Sequence, residues 1–144
     1  MRQESKETLE ILNQQFKELS AIYHQAASQH GISDNEFWVW YALLVLEGEQ
    51  SQQSICEIWS LPKQTVNSVV SGMIKKGYIY LETIPGTRNK KVIRMTESGK
   101  EFGQSVVLKV FDAEHRAIDK MTQQERQFCT DLLAKYISFL NEEI

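Results

Sequence analysis

Apolar residues recur at alternating spacings of three and four near the start of the chain: Leu9, Leu12, Phe16, Leu19, Tyr23 and Ala26. That pattern predicts a helix from about Thr8 to His30, with one seam for packing along another helix and Gly31 to end it. Ser33-Asp-Asn-Glu36 has the form of a capping box, in which the serine oxygen accepts from a free backbone amide and the glutamate reaches back. The helix it opens, through about Glu47, is apolar nearly all round (FWVWYALLVL), as expected for the buried centre of a domain. Gly48 breaks it, and Ser51 can cap a short helix, SQQSICEIW. A tight turn through Leu61-Pro62 follows, with Pro62 suited to the first helical position. The next helix runs to Lys76 and is ended by Gly77.

That last helix has two faces. Val66, Val69, Val70, Met73 and Ile74 form an apolar stripe, while Gln64, Asn67, Ser68, Ser71 and Lys75 form a polar one with no acidic residue on it. Two short helices joined by a tight turn, the second with an uncharged-to-basic face, make a helix-turn-helix pattern. After Gly77 the period changes to two: YIYLETI and KVIRM flank a Pro85-Gly86 turn, predicting a hairpin with TRNK at its tip. Thr96-Glu97 opens a further helix striped by Phe102, Val106, Val110, Ala113 and Ala117. Thr122-Gln-Gln-Glu125 is a second capping box, starting a last helix with Phe128, Leu132, Leu133, Tyr136, Ile137 and Leu140. The expected fold is mostly α with a small β-hairpin (α+β), a winged helix-turn-helix flanked by long terminal helices.

Composition narrows the class. With 144 residues, 42% apolar and 24% charged, one ordinary globular domain is expected. The start MRQESKETLE has no apolar core, so no signal peptide is expected. The longest apolar run, Phe37 to Leu46, is too short for a membrane span, which needs about twenty residues. Cys56 and Cys129 have no CxxC or His spacing, which fits a reducing compartment. Both fall at apolar positions and are expected to be buried. His24, His30, Asp112 and His115 lack alternating ligand spacing, so no metal is expected. No phosphate loop, nucleophile elbow or HExxH motif points to an enzyme, and no cofactor is expected. Net charge is −3, yet between Ser60 and Thr96 the cations Lys63, Lys75, Lys76, Arg88, Lys90, Lys91 and Arg94 face Glu82 alone. A basic block inside an acidic protein is a local footprint for a polyanion.

The segment SLPKQTVNSVVSGMIKKGYIYLE, the wing after it, and RMTESGKEF resemble the MarR family of bacterial winged-helix transcription factors, in that order and spacing. The resemblance implies a cytoplasmic homodimer binding a pseudo-palindromic double-stranded DNA operator, usually as a repressor released by a small molecule, an oxidant or a metal. It assigns 32–97 to the DNA-binding module and 1–31 and 98–144 to dimerisation helices, within one domain spanning 1–144. Where the family wing commonly has Asp-x-Arg, this chain has Thr87-Arg88-Asn89, so the wing arginine is displaced and its bracing aspartate is missing. Gln64, Thr65, Asn67, Ser68 and Ser71 are candidates for direct base readout, since Gln and Asn can bond adenine in bidentate fashion. Arg88, Lys90, Lys91 and Lys75 are candidate phosphate contacts, with Arg94 ranked below them because it can sit on the strand face. Lys63 and Ser51, at helix starts, are candidate phosphate clamps. Tyr23, His24, Phe37, Trp40 and Tyr41, with Trp38, are candidate walls of a pocket for a small aromatic or amphipathic effector. Two other readings share the same residues: a winged-helix module binding an acidic partner protein, and a redox sensor using Cys56 or Cys129.

Overall fold

A computed structural model describes residues 2–144 of the chain. The order is α1 (Arg2–Ser28), α2 (Asp34–Leu44), α3 (Gln52–Trp59), α4 (Lys63–Lys75), β1 (Ile79–Thr83), β2 (Lys91–Met95), α5 (Glu97–Asp119) and α6 (Gln123–Glu143). The strands form one antiparallel hairpin in the register Ile79↔Met95 and Leu81↔Ile93. The mostly helical fold with a small hairpin, expected from the sequence, is the one found. Backbone contacts divide it into two compact units, residues 1–108 and 109–144.

In the first unit α1 begins at Arg2 rather than at Thr8. The early turns carry no apolar seam, but Gln3 donates to Glu7 at 3.3 Å and the Thr8 hydroxyl to the Glu4 carbonyl at 3.0 Å. Good helix formers extend a helix once it is nucleated, whether or not they are buried. The helix leaves most of its seam uncovered: Leu9, Phe16 and Leu19 are exposed, and Ala27 alone is buried. Helix α2 is the centre of the unit, with Phe37, Val39, Trp40 and Ala42 wholly shielded from solvent. It stops at Leu44, short of the expected Glu47, where the Val45 amide closes on the Tyr41 carbonyl.

Only half of the first capping box forms. Ser33 Oγ accepts from the Glu36 amide at 3.1 Å, but the Glu36 side chain does not return the bond. Its carboxylate, 8% exposed, instead accepts from Trp40 Nε1 at 3.1 Å and from Lys76 Nζ at 3.3 Å. A carboxylate withdrawn from water takes the strongest donors within reach.

Helix α3 does have a reciprocal cap, made with Ser54: Ser51 Oγ accepts from the Ser54 amide and Ser54 Oγ from the Ser51 amide. The α3–α4 turn passes through Ser60 in the left-handed region (φ 53°), a conformation that costs a non-glycine residue about 1 kcal/mol. Pro62 is the N-cap of α4 and not its first helical residue, because its ψ of 146° is extended. Val66, Val70 and Met73 pack inward from α4, and Val92 and Ile93 from β2.

The Thr96-Glu-Ser-Gly99 motif has a backbone reason. Thr96 N–H donates to the Tyr78 carbonyl at 2.9 Å, its hydroxyl donates to the Gly77 carbonyl at 2.7 Å, and its Oγ accepts from the Gly99 amide at 3.0 Å. These bonds draw the start of α5 so close to the end of α4 that a β-carbon on Gly99 would overlap the Tyr78 carbonyl. One turn on, Gly103 lies against the Trp40 ring, where an added β-carbon would sit 2.5 Å from a ring carbon.

In the second unit, Phe111 meets His115 edge-on, and α6 starts with the predicted reciprocal cap of Thr122 and Glu125. No residue of α6 is buried, and Phe128, Leu132, Leu133, Ile137 and Leu140 are exposed.

Gly99→Ala is expected to destabilise the fold by at least ~2 kcal/mol, because the obstacle is backbone that cannot rotate away. Gly72→Ala, where nothing lies within 4 Å, should be neutral or stabilising in the same urea titration.

Candidate nucleic-acid interface

The outer face of α4 follows from which side its valines occupy. With Val66, Val70 and Met73 inward, Gln64, Ser68, Ser71 and Lys75 form an exposed stripe along the opposite side. Thr65 is half-buried at the edge of that stripe. Lys63 and Asn67, one turn apart, look sideways into a groove of about 980 Å³ between α3, α4 and the hairpin. Ser51, Arg88, Lys90 and Lys91 line the same groove. The structure thus gathers six sequence candidates at one place and spreads the other five along the neighbouring helix face.

The hairpin tip bends to meet the groove through two residues of positive φ, Gly86 (81°) and Asn89 (64°). Asparagine is among the few non-glycine residues that adopt this region readily, which explains its place in the tip.

The cations of the basic block divide into two groups. Lys76 is spent on Glu36. Arg94 pairs with Glu49 at 2.8 Å and Glu82 at 3.3 Å, and its pKa is raised above the usual guanidinium value, first by the hydrogen bond to Glu49 and against some desolvation. Lys63, Lys75, Arg88, Lys90 and Lys91 are exposed and make no ion pair among the described residues.

Helix α3 adds groove residues that the sequence pattern did not single out: Gln52, Gln53 and Glu57. Gln53 Nε2 donates to Glu57 Oε1 at 3.2 Å. The available signal was the polar side of α3, opposite Ile55, but an eight-residue helix is too short for its period to stand out.

The cysteines depart from expectation. Cys56 is half-buried on the groove wall and Cys129 is exposed on α6, a helix in which no residue is buried. The effector candidates also separate. Phe37 and Trp40 are fully buried core residues, with Trp40 directed at Glu36. His24 is exposed, with Nδ1 2.8 Å from Asp34 Oδ1. Tyr23 and Tyr41 are half-buried, with ring centroids 4.8 and 5.4 Å from that of Trp38. A cleft of about 390 Å³ between α1 and α2 is lined by Leu19, Ser20, Tyr23, Asp34 and Trp38. Among the described residues no three His, Cys, Asp or Glu side chains gather as a metal would require, and no helix is long and apolar enough to cross a membrane.

A family model described as the MarR family matches residues 30–88, the segment that holds α2, the helix-turn-helix and most of the wing. A MarR family regulator from Neisseria meningitidis superposes on the chain with a TM-score of 0.76 and 26% identity, over 94% of this chain and 97% of that one. Residues 30–88 are thus similar to the MarR family, and the chain has the winged-helix fold of that regulator. The same fold appears, at lower identity, in the Staphylococcus aureus MepR–DNA complex (TM-score 0.71, 18% identity, 90% of this chain and 94% of that one). It appears again in Staphylococcus aureus MarR in complex with salicylate and kanamycin (TM-score 0.67, 15% identity, 97% and 94%). No curated protein sequence matches the chain significantly.

Glu36 is the charged group that ties this core to the end of α4. Glu36→Gln keeps an acceptor for Trp40 but loses the ion pair, and should lower stability by about 1–2 kcal/mol. Lys76→Gln leaves the carboxylate with Trp40 but without its cation, and the lysine removed is half in solvent, so the loss in the same thermal or urea unfolding series should be of similar size.

Proposed function

We propose that the chain is a homodimeric, sequence-specific double-stranded DNA-binding transcriptional regulator acting in the cytoplasm, a repressor of a pseudo-palindromic operator. One observation carries the reading: Lys63, Arg88, Lys90 and Lys91 remain unpaired around a single groove, beside an α4 face of amides and hydroxyls without a carboxylate. Four unpaired cations around a groove whose lining carries one carboxylate, Glu57, leave a net positive charge that a polyanion stabilises, and uncharged donors and acceptors suit base edges. In this arrangement α4 enters the major groove, with Gln64, Thr65, Asn67, Ser68 and Ser71 toward the bases. Lys75, Lys63 and Ser51 meet phosphates, and Arg88, Lys90 and Lys91 follow the adjacent minor groove or backbone. Staphylococcus aureus MepR, which shares this fold, is known as a DNA complex, and that supports DNA as the partner.

The division of roles separates in a titration across salt and site variants. Arg88→Ala should weaken binding to every duplex and lower the salt slope by about 0.9. Asn67→Ala or Gln64→Ala should instead change the preference among operator sequences, each lost base contact amounting to about 1–3 kcal/mol of discrimination. Identical behaviour of the two classes would refute the assignment. Retention on heparin with no duplex affinity at low salt would point to an acidic protein partner.

Operator symmetry requires two reading heads roughly 34 Å apart. The exposed seams of α1 (Leu9, Phe16, Leu19) and α6 (Leu133, Ile137, Leu140) supply the apolar surface for a second copy, in keeping with dimerisation segments at 1–31 and 98–144 around a module at 32–97. The native chain should sediment as a dimer at micromolar concentration, and Leu133→Glu with Ile137→Glu should give a monomer with much weaker DNA binding. Effector binding is placed at the half-buried aromatic surface of Tyr23, Trp38 and Tyr41, beside the His24–Asp34 pair. The salicylate complex of a protein with this fold supports a flat aromatic ligand. Such a ligand acts only through its difference in affinity for the two DNA-binding states.

A further inference from the structure

Arg94 belongs to the basic block by sequence but not by geometry. Its Nη2 donates to Glu49 Oε1 at 2.8 Å, in the connection between α2 and α3. Its Nε donates to Glu82 Oε2 at 3.3 Å, across the hairpin on β1. Beside it, the Ile93 amide donates to the Gln50 carbonyl at 2.8 Å. Gln50 is buried, and its Oε1 accepts from the hydroxyl of Ser54, the residue that completes the cap of α3. The second wing strand is therefore stitched to the connection that leads into the first helix of the helix-turn-helix, by a backbone bond and an ion-pair bracket side by side. A two-stranded hairpin is marginal in water unless something holds its base. What holds the base here also sets where Arg88, Lys90 and Lys91 point.

We propose that Arg94, bracketed by Glu49 and Glu82, is a positioning residue for nucleic-acid binding: it aims the wing cations over the groove without itself contacting phosphate. The proposal rests on the DNA-binding reading above.

Two effects of opposite sign make it testable. If Glu49 were a bystander, Glu49→Gln would remove a negative charge near a polyanion and tighten binding. If it braces Arg94, the same change should weaken duplex binding about two- to fivefold, the range expected for an exposed pair. Arg94→Gln should weaken binding at least as much, and Arg94→Lys should recover part of the loss by keeping one pair. In a chain carrying Arg88→Gln, Lys90→Gln and Lys91→Gln, Glu49→Gln should cause no further loss of binding, and Arg94→Gln should leave the salt slope unchanged. Tighter binding by Glu49→Gln overturns the proposal. So does a further loss in the wing-neutralised chain, or a slope drop of about 0.9 there on removing Arg94, which would mark a phosphate contact.

Amide hydrogen exchange on the DNA-free protein separates this from the parent reading. Residues 79–83 and 91–95 should exchange faster in Glu49→Gln than in the native chain, and unchanged exchange overturns the bracket. Absence of any duplex binding by the native chain at low salt overturns the DNA reading. Faster exchange in Glu49→Gln would then show a bracket that shapes the wing for some other partner.

Discussion

A carboxylate sits in the middle of this domain, and the surrounding architecture answers to it. Helix α2 is shielded on nearly every side, and Glu36 is the charge it carries inward. Burying an anion without partners would cost several kcal/mol, so the indole of Trp40 and the ammonium of Lys76 converge on it. Trp40 in turn lies on Gly103 of α5, and Lys76 caps the end of α4. One acid group thus fixes the helix that presents the polar face and the helix that leads out of the wing.

The same economy of charge runs through the rest of the basic segment. Lys76 and Arg94 are neutralised inside the chain and hold elements together, whereas Lys63, Lys75, Arg88, Lys90 and Lys91 are left open to solvent. A count of charges along the sequence merges these two populations. Only geometry tells a cation that carries structure from one available to a ligand.

That distinction marks the limit of what the sequence could tell. Helix α4, the hairpin and the Thr122 cap were legible because period, turn residues and capping spacing are local signals. The six candidates around the groove were legible for the same reason: Ser51 and Lys63 sit at helix starts, Arg88, Lys90 and Lys91 at or beside the hairpin tip, and Asn67 on the polar stripe of α4. The fate of Glu36 was not, because Lys76 lies forty residues away and a capping box was the nearer explanation. The burial of Phe37 and Trp40 also depended on tertiary contacts: an aromatic run does not say which rings face a cleft and which fill the core. Cys129 was misjudged because a helix can carry an apolar stripe without burying any residue of it.

The two capping boxes close their rings with different chemistry. Helix α6 uses Glu125, the common choice, whereas α3 uses Ser54. Both side chains return a bond to the cap amide, so the hydrogen-bond count is the same. The hydroxyl, however, carries no formal charge, and the partial positive end of the α3 dipole is left uncompensated at the rim where Ser51 meets the wing. A glutamate at position 54 would satisfy the same amide and place an anion on that rim, so the milder polar group keeps the local potential favourable to whatever negative surface approaches.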